Sequence, residues 1–238
     1  MNDYWLYLSK SGMTVGKTGS RQREATVLDS AAFQADDLAE FVRQRVPTGK
    51  RVSVWLSGGH CHYVSFPRPR WVFAAGKLRA IAATVFEQKT MQNAAEYTLS
   101  LKPSCTSLHV CAIRHADVTR ILTAVSDRYR VQAVKPLAPE VLQACKRTAR
   151  AATFVLYEPD SLTIARPGKE AGLLVATTGG ASHASVLTRM LAVHADAPSE
   201  IEVVSMASIQ TGLTDAKMPS PLLNGWLKRL ERAQNHGG

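Results

Sequence analysis

The 238-residue sequence has few cysteines and no long hydrophobic stretch. Four cysteines are too few for a disulfide scaffold, so we expect free thiols in a reducing compartment. The longest stretch without charge, 171–188, is interrupted by glycine, serine and histidine, and therefore predicts no transmembrane helix. The N-terminus carries an acid, Asp3, where a signal peptide carries Lys or Arg. These absences together predict an intracellular protein.

Several signatures of enzymes and of nucleic-acid-binding proteins are also missing. The sequence has no P-loop, no serine nucleophile elbow and no visible pair of catalytic carboxylates. It also has no zinc-finger spacing, no aromatic glycine-rich strand that would stack RNA bases, and no helix-turn-helix. Because nothing demands an enzyme, we predict that the protein is not one.

The sequence does have an excess of positive charge, with 29 Lys and Arg against 19 Asp and Glu, or +10 in total. The basic residues form several short groups, none of which dominates: 21–23, 43–51, 68–79, 146–150 and 228–232. We interpret this charge as solvated surface with an attraction to anionic lipid headgroups or acidic partners. A nucleic-acid-binding regulator is the less favoured alternative.

Apolar periodicity and turn residues predict the order of secondary structure. In the first part, strands are expected at 4–8, 13–17, 24–28, 51–57 and 60–66, with a helix after Asp37 that buries Leu38, Phe41 and Val42. The middle part predicts helices over 71–89 and 139–150, paired strands at 95–101 and 107–113, and a strand at 131–134. Between them lies a helix whose inward face would hold Val118, Ile121, Leu122 and Val125.

The last third repeats the order of the first part. Strands are predicted at 153–157, 161–166, 172–177 and 201–205, with a helix over 182–194 before the fourth strand. The order β-β-β-α-β therefore occurs twice without detectable sequence identity. This duplication predicts two similar α/β lobes, each with a mixed sheet and helices.

The duplicated order resembles the actin, sugar-kinase and Hsp70 superfamily (ASKHA). Within it, the chain resembles PilM-type actin-like proteins of bacterial type IV pilus assembly and the related cytoplasmic domain of GspL from type II secretion. The resemblance extends over most of 51–213 as order and pattern more than as identity. It rests on four segments: 52–57 with 66–69; the helix 78–88; 108–113 with the helix 118–129; and 152–157 through 162–166 to 177–180.

The resemblance implies an actin-like fold with a small inserted subdomain. The first lobe would comprise 1–66 plus 131–150, the insertion 67–130, and a second, shortened lobe 151–238. It also implies a cytoplasmic scaffold, peripheral at the inner membrane, that binds the cytoplasmic tail of a bitopic pilus or secretion protein. Because no transmembrane helix is predicted, a stand-alone PilM-like role fits better than a GspL-like one. The alternative is a small actin-like ATP-binding protein or ATPase.

Actin-like proteins bind nucleotide at two hairpin turns, one in each lobe. If ATP binds here, the candidate residues are Lys10 and Ser11 in the first lobe and Gly179 and Gly180 in the second. The first turn lacks an Asp, however, and the second, 158–160, lacks glycine and has a proline without an N–H donor. Its extra carboxylate would repel phosphate. We therefore expect structural turns and no cofactor.

Partner capture is expected in a groove beside the insertion, with apolar pockets and backbone pairing at an exposed strand edge. The candidate contacts for acidic partner residues or an anionic membrane surface are Arg68, Arg70, Lys77 and Arg79. An apolar stripe at 223–230, beside basic residues, predicts a C-terminal helix. That helix either docks on the protein or binds a membrane surface or partner.

Two groups of histidines and cysteines fit a metal site poorly. His60 and His62 are placed on one strand face and are predicted to face solvent, where a metal would need ligands from elsewhere. The second group does not form the paired knuckle of a structural zinc site. It consists of Cys105, His109, Cys111 and His115. We predict no metal.

Overall fold

The computed structural model describes residues 3–18, 25–34, 37–72, 74–103, 107–139, 153–166, 172–177, 186, 190 and 201–205. The strands are β1 (Asp3–Leu8), β2 (Gly12–Thr18), β3 (Ala25–Ala32), β4 (Arg51–Leu56), β5 (Cys61–Pro67), β6 (Tyr97–Pro103), β7 (Ser107–Arg114), β8 (Arg130–Pro136), β9 (Thr153–Tyr157), β10 (Ser161–Arg166), β11 (Gly172–Thr177) and β12 (Ile201–Ser205). The helices are α1 (Leu38–Arg45), α2 (Ala75–Thr90) and α3 (His115–Ser126), with 3-10 turns at Gly58–His60 and Ala94–Glu96.

The first lobe is built on a five-stranded sheet in the order β3-β2-β1-β4-β8. β1, β2 and β3 are antiparallel neighbours, whereas β4 and β8 run parallel to β1. Because side chains alternate across a strand, Tyr4, Leu6 and Leu8 enter the core that α1 and α3 share with this sheet. Trp5 and Tyr7 point to the opposite face of β1, away from that core.

The second lobe repeats this arrangement with the sheet β11-β10-β9-β12. β9, β10 and β11 are antiparallel neighbours, and β12 runs parallel to β9, as β4 does to β1. The core of this lobe contains Val155 and Ile164, packed with the helical residues Val186 and Met190. The predicted duplication of mixed α/β lobes is confirmed.

A separate three-stranded antiparallel sheet, β5-β7-β6, lies between β4 and α3 in the chain. One of its faces packs against α2, where Ala82 and Phe86 join Val64, Tyr97 and Val110 in a second core. The strand pairing therefore favours an insertion that spans 61–114. The domain boundaries stated above stay a prediction.

Two details of the predicted helices differ from the structure. Leu122 was expected to face inward but is 37% exposed, because it lies about 100° around α3 from the buried Ile121. The helix expected over 71–89 begins at Ala75, since Ala74 before it has an extended backbone. The predicted helix at 223–230 lies outside the described residues, the one at 139–150 is represented only by Pro139, which is helical, and the one at 182–194 only by Val186 and Met190.

Candidate functional site

The turn after β1 and the turn after β9 meet where the two lobes join. The backbone N–H of Lys10, in the first turn, donates a hydrogen bond to Asp160 Oδ2 in the second. Ser57, which directly follows β4, donates its hydroxyl to the same Asp160 oxygen at 3.1 Å. The side chain of Asp160 therefore binds two segments of the first lobe at once.

Glu158 makes a second set of contacts between the lobes and is only 1% exposed. Its Oε1 accepts a hydrogen bond of 3.1 Å from the Tyr7 hydroxyl, and its Oε2 accepts one of 2.9 Å from the Gly58 N–H. Within its own lobe, Ser161 Oγ donates to Oε2 at 3.1 Å. These donors compensate the carboxyl group for much of the hydration that it loses on burial.

Two adjacent glycines allow this close approach of the lobes. A Cβ atom on Gly58 would lie 2.9 Å from Ser161 Oγ and 3.0 Å from Glu158 Oε2. A Cβ atom on Gly59 would overlap the Asp160 carboxylate. Because any larger residue would push the second turn away, the glycine pair is part of the site.

Burial dominates the electrostatics of the junction. It raises the pKa of Glu158 to about 7, with a further increase from the nearby charge of Asp160. The hydrogen bonds from Gly58, Tyr7 and Ser161 act in the opposite direction. Burial, and next the charge of Glu158, raise the pKa of Tyr7 well above its ordinary value, so Tyr7 remains a neutral donor.

The arrangement has a direct chemical consequence. The amides and hydroxyls that the first lobe presents at this junction are of the kind that bind oxyanions. Here they bind the carboxylates of Glu158 and Asp160, which belong to the same chain. The contacts join the two lobes.

The candidate nucleotide residues are only partly brought together. Lys10 lies at the junction, where its amide binds Asp160. Ser11 takes part in the first turn: its carbonyl accepts a hydrogen bond from Phe33 N at 3.2 Å, and its hydroxyl lies 3.4 Å from Ser9 Oγ. Gly179 and Gly180 lie outside the described residues. The assignment of a nucleotide to these residues stays a prediction.

The candidate partner residues lie in and before α2. Arg70, Lys77 and Arg79 are exposed and Arg68 is half-buried, while Trp71 beside them is 87% exposed. The insertion 61–114 contains seven Lys and Arg against two Glu, and therefore carries half of the +10 charge. Its role in partner binding stays a prediction.

The prediction that His60 faces solvent is wrong. His60 lies in the 3-10 turn between β4 and β5, is 8% exposed, and contacts Phe33 edge-on with the ring centroids 5.9 Å apart. Burial lowers its pKa. His62 is exposed at the start of β5, so the two histidines do not share one environment. The cause is the 3-10 turn, which breaks the strand alternation that the sequence suggested.

The residues weighed as zinc ligands have other neighbours. His109 Nδ1 lies 2.8 Å from Ser65 Oγ, and His115 Nδ1 lies 2.9 Å from Thr98 Oγ1. Cys111 is a buried free thiol, as is Cys61 on the neighbouring strand. Cys105 lies outside the described residues. Within the described ranges, no three His, Cys, Asp or Glu side chains are grouped as metal ligands would be.

Sequence reasoning missed most of the residues that form the junction. Tyr7 and Ser57 belong to no recognisable motif, and from the sequence the acidic turn 158–160 indicates only an obstacle to phosphate. One usable signal was the pair Gly58-Gly59 directly after a buried strand, since adjacent glycines often mark a close approach of another segment. The identity of that segment, 100 residues later, is not encoded in any local spacing.

The two lobes of matching strand order, joined through facing turns, define an actin-like fold. No protein-family model matches the sequence. No curated protein matches it either. None of the helices in the described part of the chain is long and apolar enough to cross a membrane.

Solved structures match the fold over nearly the whole chain. The cytoplasmic domain of EpsL, an inner membrane component of the type II secretion system of Vibrio cholerae, matches with a TM-score of 0.65 and 15% identity, covering 98% of this chain and 95% of that one. The PilM–PilN type IV pilus biogenesis complex matches with a TM-score of 0.60 and 13% identity, covering 94% and 85%.

A third match is a Bacteroides thetaiotaomicron protein with an actin-like ATPase fold and unknown function. Its TM-score is 0.59 at 10% identity, covering 97% of this chain and 87% of that one. The three likenesses confirm the actin-like fold, and the first two confirm the predicted resemblance in fold to a type II secretion component and to a type IV pilus biogenesis complex.

Proposed function

We propose that this protein is a non-enzymatic actin-like scaffold of a type IV pilus or type II secretion platform. In this role it lies at the cytoplasmic face of the inner membrane and binds the cytoplasmic segment of a bitopic membrane partner. The observation that carries the proposal is the likeness to cytoplasmic EpsL and to the PilM–PilN complex, which extends over nearly the full length of the chains on both sides.

The junction of the lobes supports a scaffold rather than an ATPase. Glu158 and Asp160 place two carboxyl groups against the first-lobe donors, at the turns where an actin-like ATPase would hold phosphate. A bound phosphate would have to displace both carboxyl groups, and it would be repelled by whichever of them is ionised. We therefore base the proposed scaffold role on surfaces that bind other proteins and not on nucleotide binding.

The insertion offers a surface suited to an extended acidic segment. β6 pairs with β7 along one edge, and among the described strands none pairs with its other edge, which leaves backbone groups for an added strand. Nearby, α2 and the loop before it expose Arg70, Lys77 and Arg79. Their charge would attract an acidic peptide and the anionic inner leaflet.

The test is capture of the full chain from its native host after mild detergent extraction. We expect an inner-membrane protein with one transmembrane helix and a short cytoplasmic segment, and a synthetic peptide of that segment should bind the purified chain in a one-to-one complex. Recovery of the chain alone, or failure of the peptide to bind, would refute the proposal.

The surface is tested with a charge-matched pair of triple variants. R70Q/K77Q/R79Q removes three exposed charges from the insertion and should weaken peptide binding by about tenfold or more. K50Q/R128Q/R130Q removes three exposed charges from the first lobe and should leave binding unchanged. If both variants weakened peptide binding equally, the partner would not bind through the exposed charges of the insertion.

A further inference from the structure

We propose that the turn 158–160 is an internal ligand that clamps the two lobes together without bound nucleotide. Its two carboxyl groups would accept hydrogen bonds from the first lobe, as an anion bound between the two turns would otherwise do. This inference concerns the joining of the lobes, and it does not depend on the identity of any partner.

The first reason is the origin of the donors. Tyr7 belongs to β1, Lys10 to the turn that follows it, and Ser57 and Gly58 to the segment after β4. The four groups are two hydroxyls and two backbone amides, and all four donate to carboxyl oxygens of the turn 158–160. They therefore converge on the carboxyl groups of one short segment, as donors converge on a bound oxyanion.

The second reason is that the turn is ordered for this contact. Ser161 donates its hydroxyl to Glu158 Oε2, and its carbonyl accepts the Glu158 N–H at 3.0 Å. The Glu158 side chain is thus positioned by its own lobe before it meets the other. A preorganised group loses less conformational entropy on binding, so each contact between the lobes contributes more.

The third reason is the steric fit around the glycine pair. Gly58 contacts the second lobe closely enough that a Cβ would meet both Ser161 and the Val175 side chain, at 2.9 Å each. Since the position of Gly59 leaves no space for a Cβ beside Asp160, the first lobe accommodates the carboxyl-bearing turn and little else.

The experiment compares amide hydrogen exchange in the wild-type chain and in E158A/D160A. We expect the Lys10 and Gly58 amides to exchange faster by about tenfold or more, because both lose their acceptors. Amides inside each lobe, such as Leu6 and Ile164, should stay protected. Unchanged protection of Lys10 and Gly58 in the double variant would overturn the proposal.

The matched control is D29A. Asp29 also accepts a backbone N–H, from Ser30 at 2.7 Å, and binds Arg45, but all three residues belong to the first lobe. D29A should leave the Lys10 and Gly58 amides as protected as in the wild type. Faster exchange at these amides in D29A would show that they report general loosening and not release of a clamp.

A second measurement covers the case in which the double variant does not fold. E158A alone removes a group the size of acetate, so acetate added in place of chloride at equal ionic strength should raise the melting temperature of E158A. Wild type and D29A should show no such rise. A melting temperature of E158A that is the same in both salts would contradict the internal-ligand proposal.

Discussion

The Tyr7 hydroxyl donates a hydrogen bond of 3.1 Å to Oε1 of Glu158, which lies 151 positions later in the sequence and belongs to the other lobe. Tyr7 is 2% exposed, so both partners are buried. Tyr7 lies on the face of β1 opposite the helices, and this face is the one that meets the second lobe. This buried hydrogen bond therefore links the two repeats of the chain.

Removal of this hydroxyl should weaken the chain. Tyr7→Phe leaves one oxygen of the buried Glu158 without that donor, and we expect a loss of about 1–3 kcal/mol of unfolding free energy in urea titrations. Tyr4→Phe is the matched control, because Tyr4 lies on the opposite face of β1 in the helix-side core. A loss of equal size in both variants would contradict the role given to the Tyr7 contact.

The junction should make stability depend on pH near neutrality. The folded-state pKa of Glu158 is about 7, above the ordinary 4.5, so its contribution to stability is fully present below pH 4.5 and is lost as the pH rises through 7. Glu158→Gln stays neutral. The stability of wild type minus that of the variant should therefore fall by about 3 kcal/mol between pH 4.5 and alkaline pH.

The groups that face Glu158 support this assignment of the pH dependence. Burial raises the pKa of Tyr7 and Tyr63 well above the ordinary value. The pKa of Cys61 is also well above its ordinary value, first because of its contact with the Cys111 thiol. These groups remain neutral near pH 7, which leaves Glu158 to titrate there. A stability difference that is flat with pH would contradict the prediction.

The glycine pair gives a steric prediction. Gly59→Ala places a Cβ against the Asp160 carboxylate and should destabilise the chain by about 1–3 kcal/mol in thermal or urea unfolding. Gly76→Ala is the matched control, since nothing lies within 4 Å of a Cβ at that position in the first turn of α2. We expect that variant to be neutral or slightly more stable. Equal stability of the two variants would count against the close approach.

Much of the fold could be predicted from the sequence because the patterns that specify its strands and turns are local. Strands such as β1 and β9 carry apolar alternation, and turn residues separate them, so the repeated order could be recognised without any three-dimensional information. Periodicity is less reliable at the border of a helix face, where it predicts that Leu122 points inward although Leu122 is exposed. Contacts with other elements decide such borderline positions.

The site could not be predicted to the same extent because its partners are distant in sequence. Periodicity gives the face on which Tyr7 lies, but not that Glu158 lies opposite it, since no local rule specifies how two lobes dock. His60 shows the same limit: strand alternation suggested exposure, and a 3-10 turn at the junction buries it. Contacts between repeats depend on tertiary packing, which spacing alone does not encode.

Calorimetric titration of the full wild-type chain with Mg-ATP at neutral pH tests the central claim most directly. If Glu158 and Asp160 occupy the first-lobe donors and the protein acts as a scaffold, the titration shows no saturable heat and ATP is not consumed. One-to-one binding with a dissociation constant of about 1 μM, accompanied by hydrolysis, would contradict the account.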